Sequence, residues 1–254
     1  NIVRIEEVYE SMNEIYIVQE LCLGGDLFDR LDEQPEFHYT EAQCAKLVKQ
    51  MLSSVRYLHS KGIIHRDLKL ENFLFSSSSP DSELKMSTCW SKFLPSVLLT
   101  FVLLVDFGLS KHFSIGEYHR EPVGTPYTVA PEIIKGKYDE KCDMWALGVI
   151  VYLLLSGETP FGGLDGESMF IVKENIMKAE LVFEPADVWE HVSQQGKNFV
   201  KQLLNPDPKK RPTAKVMQRS EWIRVFSKKD ASQGTTLNPK TVTALMDFKE
   251  SSDM

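Results

Sequence analysis

Residues 65–72 read His65-Arg66-Asp67-Leu68-Lys69-Leu70-Glu71-Asn72, an acid, a base and an amide within six residues of one another. They follow a stretch with strong helical marks. Thr40 with Gln43 three residues on matches a capping box, and Ala45, Val48, Leu52, Val55 and Leu58 recur at helical spacing until Gly62 stops them. A long amphipathic helix is therefore expected to deliver this polar loop.

Working outward, Asp106-Phe107-Gly108 follows a β-type run, and Gly124-Thr125-Pro126 and Ala130-Pro131-Glu132 come next. Asp143-Met144-Trp145-Ala146-Leu147-Gly148 opens a segment that is apolar on nearly every face up to Leu155 and stops at Ser156-Gly157, as a helix buried in a large lobe would. Further helices are expected over 169–178, 194–204 and 213–219. Any one triplet arises by chance, and a lone Asp-Phe-Gly reads as a turn.

In this order and at these spacings the motifs resemble the catalytic domain of a Ser/Thr protein kinase. The resemblance implies an α+β, kinase-like fold, mainly the helical C-terminal lobe with a remnant of the N-terminal lobe sheet, and it implies ATP and Mg2+ as cofactors. Asp67 would accept the hydroxyl proton of the substrate, and Lys69 would offset charge on the transferring phosphoryl. Asn72 and Asp106 would hold magnesium, which prefers such oxygen donors. Arg66, Glu132, Asp143 and Arg211 are read as structural, with Arg211 pairing Glu132, and His65 as a packing residue.

Val18-Gln19-Glu20-Leu21-Cys22 matches the family's hinge, so backbone groups of Glu20 and Cys22 would meet the adenine edge, with Gln19 as gatekeeper and Asp26 close to the nucleotide. Asp26 and Glu71 also fall where basophilic kinases receive an Arg two or three residues before the phosphorylated Ser or Thr, and Thr125 belongs to the peptide-docking run. Arg66 beside Asp67 marks kinases that neutralise this Arg with an activation-segment phosphate, a task open here to Glu117 or Glu121. The runs Gly24 to Leu31, Asn72 to Phe75 and Val123 to Glu132 look most like calcium-dependent protein kinases, within the calmodulin-kinase-like group. EF-hands would then lie outside this chain, which has no D-x-D-x-D-G loop.

Two features depart from the family pattern. No Gly-rich loop, strand Lys or partner Glu precedes Glu20, so this stretch alone is expected to transfer phosphate poorly; a noncatalytic pseudokinase or scaffold is the alternative reading. Asn72 and Asp106 are also 34 residues apart, about twice the expected gap. Either 87–104 is an insertion, for which a retained intron is one explanation, or 76–100 bulges as a long loop ahead of a strand at 101–105.

The domains implied are 1–22, N-lobe and hinge; 23–226, C-lobe; and 227–254, a tail. In the tail Val242, Leu245 and Phe248 share a helical face, resembling the start of an autoinhibitory junction helix, with an unpacked tail as the other option. Ile2 to Val8 and Glu14 to Leu21 read as two antiparallel strands.

The 254 residues are 43% hydrophobic and 26% charged, enough for a sizeable core. A net charge of -7 disfavours a general nucleic-acid or anionic-membrane binder while leaving room for a local basic patch. Cys22, Cys44, Cys89 and Cys142 lack metal or disulfide spacing and fit a reducing, cytoplasmic setting. The longest apolar run, Phe93 to Val105, contains Pro95 and is too short to span a bilayer.

Overall fold

The computed structural model describes residues 1–26, 40–79, 82–87, 109–114, 117–163, 167–229 and 236–252. Asp106-Phe107-Gly108, Cys89, the stretch 88–104 and residues 27–31 lie outside the described residues.

Strands β1 (Ile5–Glu10) and β2 (Ile15–Gln19) pair antiparallel, with Glu10 opposite Ile15 and Glu7 opposite Val18. Ser11 closes their turn, its hydroxyl oxygen accepting from the Glu14 N–H at 3.0 Å. Every β1 side chain is exposed.

Helix α1 (Glu41–Ser60) begins as its sequence dictates. The Thr40 hydroxyl oxygen accepts from the Gln43 N–H at 3.2 Å, and the Gln43 side chain accepts from the Thr40 N–H at 2.8 Å. Ala45, Val48, Leu52, Val55 and Leu58 are all buried, and Gly62 follows the helix at φ +70°. Strand β3 (Ile63–Ile64), a 3-10 turn at Leu70–Asn72 and β4 (Phe73–Phe75) come next. The loop 65–69 is thus strung between two strands, β3 paired with β6 (Lys111–His112) and β4 with β5 (Leu84–Met86). The pairing of 84–86 with β4 corrects the reading in which all of 76–100 bulges away.

Helices α2 (Pro131–Ile134), α3 (Lys141–Ser156), α4 (Met169–Lys178), α5 (Ala186–Trp189), α6 (Gln194–Leu203), α7 (Ala214–Met217), α8 (Glu221–Phe226) and α9 (Pro239–Ser252) complete the lobe. Helix α3 is buried from Cys142 to Ser156 and forms its axis. Gly157 ends it at φ +82°, and a side chain there would meet α9, since a Cβ would lie 2.6 Å from the Ala244 Cβ and the Thr241 carbonyl oxygen. Val242, Leu245 and Phe248 are buried, so the tail is packed on the lobe, contrary to the unpacked alternative.

One carboxylate joins three helices. Glu41 is buried at the start of α1, where it accepts from the Ser193 N–H (3.1 Å), the Ser193 hydroxyl (2.6 Å) and the Trp222 indole N–H (2.7 Å). Removing it orphans three donors, among them the buried Trp222 indole N–H, and Glu41→Ala is expected to cost roughly 2–4 kcal/mol in urea unfolding. A change below about 0.5 kcal/mol, the range of an ordinary surface substitution, would refute this role.

Candidate active site

The polar loop is anchored from below. Asp143, buried on α3, accepts from the His65 N–H and the Arg66 N–H, each at 2.9 Å, and lies 2.8 Å from the His59 ring nitrogen on α1. Burial alone would raise the Asp143 carboxyl, but His59 and the loop N–H groups outweigh it and hold it below the usual range. This clamp holds Arg66 at φ +70°, a left-handed conformation that a side-chain-bearing residue adopts only when its surroundings impose it.

Past that kink, Asp67 is fixed from the far side of the sequence. Its carboxylate accepts from the Thr125 N–H at 2.9 Å and the Thr125 hydroxyl at 2.5 Å. The Asn72 side-chain N–H donates to the Asp67 carbonyl at 2.9 Å, and the Asn72 main-chain carbonyl accepts from the Ser87 N–H at 2.6 Å. Gly124 permits the approach. It sits at φ +116°, where a Cβ would press to 3.0 Å from the Arg66 carbonyl. Lys69 is half-buried on extended backbone leading into the 3-10 turn.

Arg66 reaches sideways into the segment after β6. Its guanidinium pairs with Glu121 at 2.6 Å and donates to the Tyr138 hydroxyl at 3.1 Å and to the Leu109 carbonyl. Lys111 adds a second cation to Glu121 at 3.0 Å. Hydrogen bonds from Arg66, then from Lys111, draw the Glu121 carboxyl down to about 2. Of the two acids the sequence offered for Arg66, Glu121 makes the contact, while Glu117 accepts from the Ser114 N–H.

At the other rim, Glu71 accepts from the Tyr127 hydroxyl at 3.0 Å. Burial, then the Glu71 charge, push the Tyr127 phenol well above its ordinary value, so it remains a donor. Its ring meets Phe248 of α9 edge-on, centroids 5.2 Å apart. Asp26 bridges to Leu74 of β4, which puts it alongside the strand that leaves the loop.

The segment after β2 runs beside the same strands, the Leu23 and Gly24 N–H groups donating to the Ser76 and Phe75 carbonyls. The Glu20 N–H donates to the Arg4 carbonyl at 2.9 Å, so the carbonyl is what Glu20 has to offer a ligand. The Glu20 side chain is bound by Lys85 of β5 at 2.7 Å. Cys22 is half-buried, and burial followed by the Glu20 charge raises its thiol; Cys142, fully enclosed, is raised further. Deeper in the lobe Arg211 pairs with Glu132 at 2.5 and 3.1 Å, stacks over Trp145 at 5.1 Å and donates to the Asn205 and Lys141 carbonyls.

The family model described as protein kinase domain matches residues 1–223. The chain belongs to the protein kinase family. Similar relatives of this kinase include calcium-dependent protein kinase 12 of Arabidopsis thaliana, 41% identical over 223 residues, or 88% of this chain and 41% of the relative. Calcium-dependent protein kinase 5 of Plasmodium falciparum (isolate 3D7) is 34% identical over 248 residues, 98% and 39% of the two chains. Calcium-dependent protein kinase 10 of Oryza sativa subsp. japonica is 37% identical over 225 residues, 89% and 34%. The kinase chain thus spans about two fifths or less of the relatives' lengths.

One oxygen of the site suits magnesium. With its amide nitrogen committed to Asp67, Asn72 keeps its side-chain oxygen for a hard cation. Asp106 lies outside the described residues, and among those described no three acidic, His or Cys side chains gather as a metal site. Asp67, Asn72 and Thr125 are brought together, whereas Glu71 is drawn off towards Tyr127. Sequence reasoning missed Tyr127 and Tyr138, although Tyr127 stands next to the quoted Gly124-Thr125-Pro126. It also missed Lys85, whose partner Glu20 is 65 residues away.

Proposed function

We propose that the chain is the catalytic core of a Ser/Thr kinase that moves the γ-phosphate of ATP, with magnesium, to Ser or Thr preceded by Arg at x-x spacing. The observation that carries this reading is the Asp67 carboxylate, oriented by Thr125 and flanked by an Asn72 whose side-chain oxygen accepts from no protein donor among the described residues. Magnesium held by Asn72 and Asp106 would neutralise charge on the phosphates. Asp67 would take the proton of the substrate hydroxyl, and Lys69 would sit against the transferring group. Glu20 and Cys22 would border the adenine, and Asp26 and Glu71 would receive the substrate Arg. The four structural residues Arg66, Glu132, Asp143 and Arg211 hold this frame.

Residues 1–22 would form part of the N-lobe and hinge and 23–226 the C-lobe, with the extra length at 87–104 set apart. The relatives' names support calcium control, with EF-hands in other parts of the protein. The contact of α9 with Tyr127, itself bonded to Glu71, supports reading α9 as the start of an autoinhibitory junction. Among the described residues no helix is long and apolar enough to cross a membrane. The test is transfer of labelled phosphate from ATP to an Arg-x-x-Ser peptide by the full-length product. Transfer that falls when the Arg is replaced supports the reading; no transfer at any calcium level favours a noncatalytic scaffold.

Glu121 would replace an activation-segment phosphate. Its carboxyl is held low in the folded state, so the Arg66 contact is complete above the ordinary carboxylate range and is lost only as pH falls towards about 2. Phosphatase-treated enzyme is expected to keep its activity between pH 6 and 9, and Glu121→Gln to lose most of it at every pH in that range. An untreated enzyme that alone is active would contradict this.

A further inference from the structure

The charge of this chain is unevenly spread. Residues 197–230 hold ten Lys or Arg against three Asp or Glu, although the whole chain is at -7. Arg211 is the buried one of the ten, committed to Glu132. Helices α7 and α8 pack their inner sides on α1, burying Ala214, Met217, Trp222, Ile223 and Phe226. Lys215 and Arg224 on their outer sides, and Arg219 and Lys228 in the turns that follow them, are exposed, and none of the four joins an ion pair among the described residues.

Two apolar side chains stand among these cations. Val216 is 55% exposed and Val225 37% exposed. Lys215, Val216 and Arg219 line one open cleft of about 620 Å3, with Gln202 and Glu221 at its edge. Arg56 of α1 reaches the same corner, donating to Gln218 at 3.0 Å. Cations interleaved with aliphatic side chains suit a surface that is anionic outside and apolar just beneath. Single-stranded nucleic acid would call for exposed aromatic rings, and Phe199, Trp222 and Phe226 are all buried.

We propose that the outer face of α7 and α8 docks on an anionic lipid bilayer, the cations meeting acidic headgroups and Val216 and Val225 entering the interface. The rest of the chain, which carries the negative excess, would then be turned away from the membrane. This inference is independent of the catalytic reading.

The 254-residue chain would be sedimented with vesicles of phosphatidylcholine alone or with 30% phosphatidylserine. Binding to the acidic vesicles only, lost in 0.5 M salt, is expected. Each cation near the surface is worth about fivefold in partitioning, so Lys215→Ala/Arg219→Ala/Arg224→Ala should weaken binding roughly a hundredfold with an unchanged circular dichroism spectrum. Lys173→Ala/Lys178→Ala on α4 should not weaken it, and Val216→Asp should weaken it at constant salt. Equal binding to both vesicle types, or binding unmoved by the triple substitution, would overturn the proposal. So would tighter binding to single-stranded RNA or polyglutamate than to the vesicles, which would reassign the face to a soluble polyanion.

Discussion

Asp67→Asn in the full-length product is expected to lower kcat for peptide phosphorylation by about 10²–10⁴-fold while leaving KM for ATP nearly unchanged. Asparagine keeps the shape and can still accept from Thr125, so the loop geometry survives and only proton acceptance is lost. A split of this kind separates a proton acceptor from a residue that merely supports the fold. Thr125→Val is the companion variant. It removes one of the two donors that orient the carboxylate but leaves the acid itself, and should cost kcat less than Asp67→Asn does. Turnover of Asp67→Asn within threefold of the parent would remove Asp67 from the mechanism.

The second large effect is on stability. Arg211 and Glu132 are both buried, at 1% and 4% exposure, and their bidentate pair joins the loop before α7 to α2. Arg211→Met leaves Glu132 as an unpaired buried charge and frees the Asn205 and Lys141 carbonyls, a loss of about 3–5 kcal/mol. For a domain of this size that corresponds to a drop in Tm of roughly 6–20 °C. Adding Glu132→Leu should restore part of it, because an apolar pair has no charge left to satisfy. A single variant within about 1 kcal/mol of the parent, measured by reversible urea unfolding, would show the pair to be dispensable.

How far the sequence could be read depended on the range of each interaction. Helix α1 announced itself through Thr40, Gln43 and a regular apolar stripe, because caps and periodicity act within a few residues. The Arg211 and Glu132 pair, 79 residues apart, was legible through the family resemblance, which carries long-range pairings that periodicity cannot. The short helices α2, α5 and α8 were not read, since four to six residues give little pattern, although the equally short α7 was expected within 213–219.

The site was legible in its members but less so in its geometry. Asp67 and Asn72 were found by type and spacing, yet nothing local shows that Thr125 would bind the Asp67 carboxylate rather than face a peptide. The same holds for Glu71, a free acid in sequence and the partner of Tyr127 in the structure. Glu41 drew no reading from the sequence. Its three hydrogen bonds come from residues more than 150 positions away, and only the folded chain reveals them.

The Thr125 bonds to Asp67, beside a Gly124 with no room for a side chain against the Arg66 carbonyl, join the loop after β3 to the segment ahead of α2. The two cannot be repositioned separately. In the proposed reaction the entropy of choosing the Asp67 rotamer is therefore lost when the chain folds, and a peptide arriving at 124–127 meets an acceptor already aimed. Whatever shifts that segment by an ångström shifts the acceptor with it, so control of the peptide groove and control of proton transfer become a single degree of freedom.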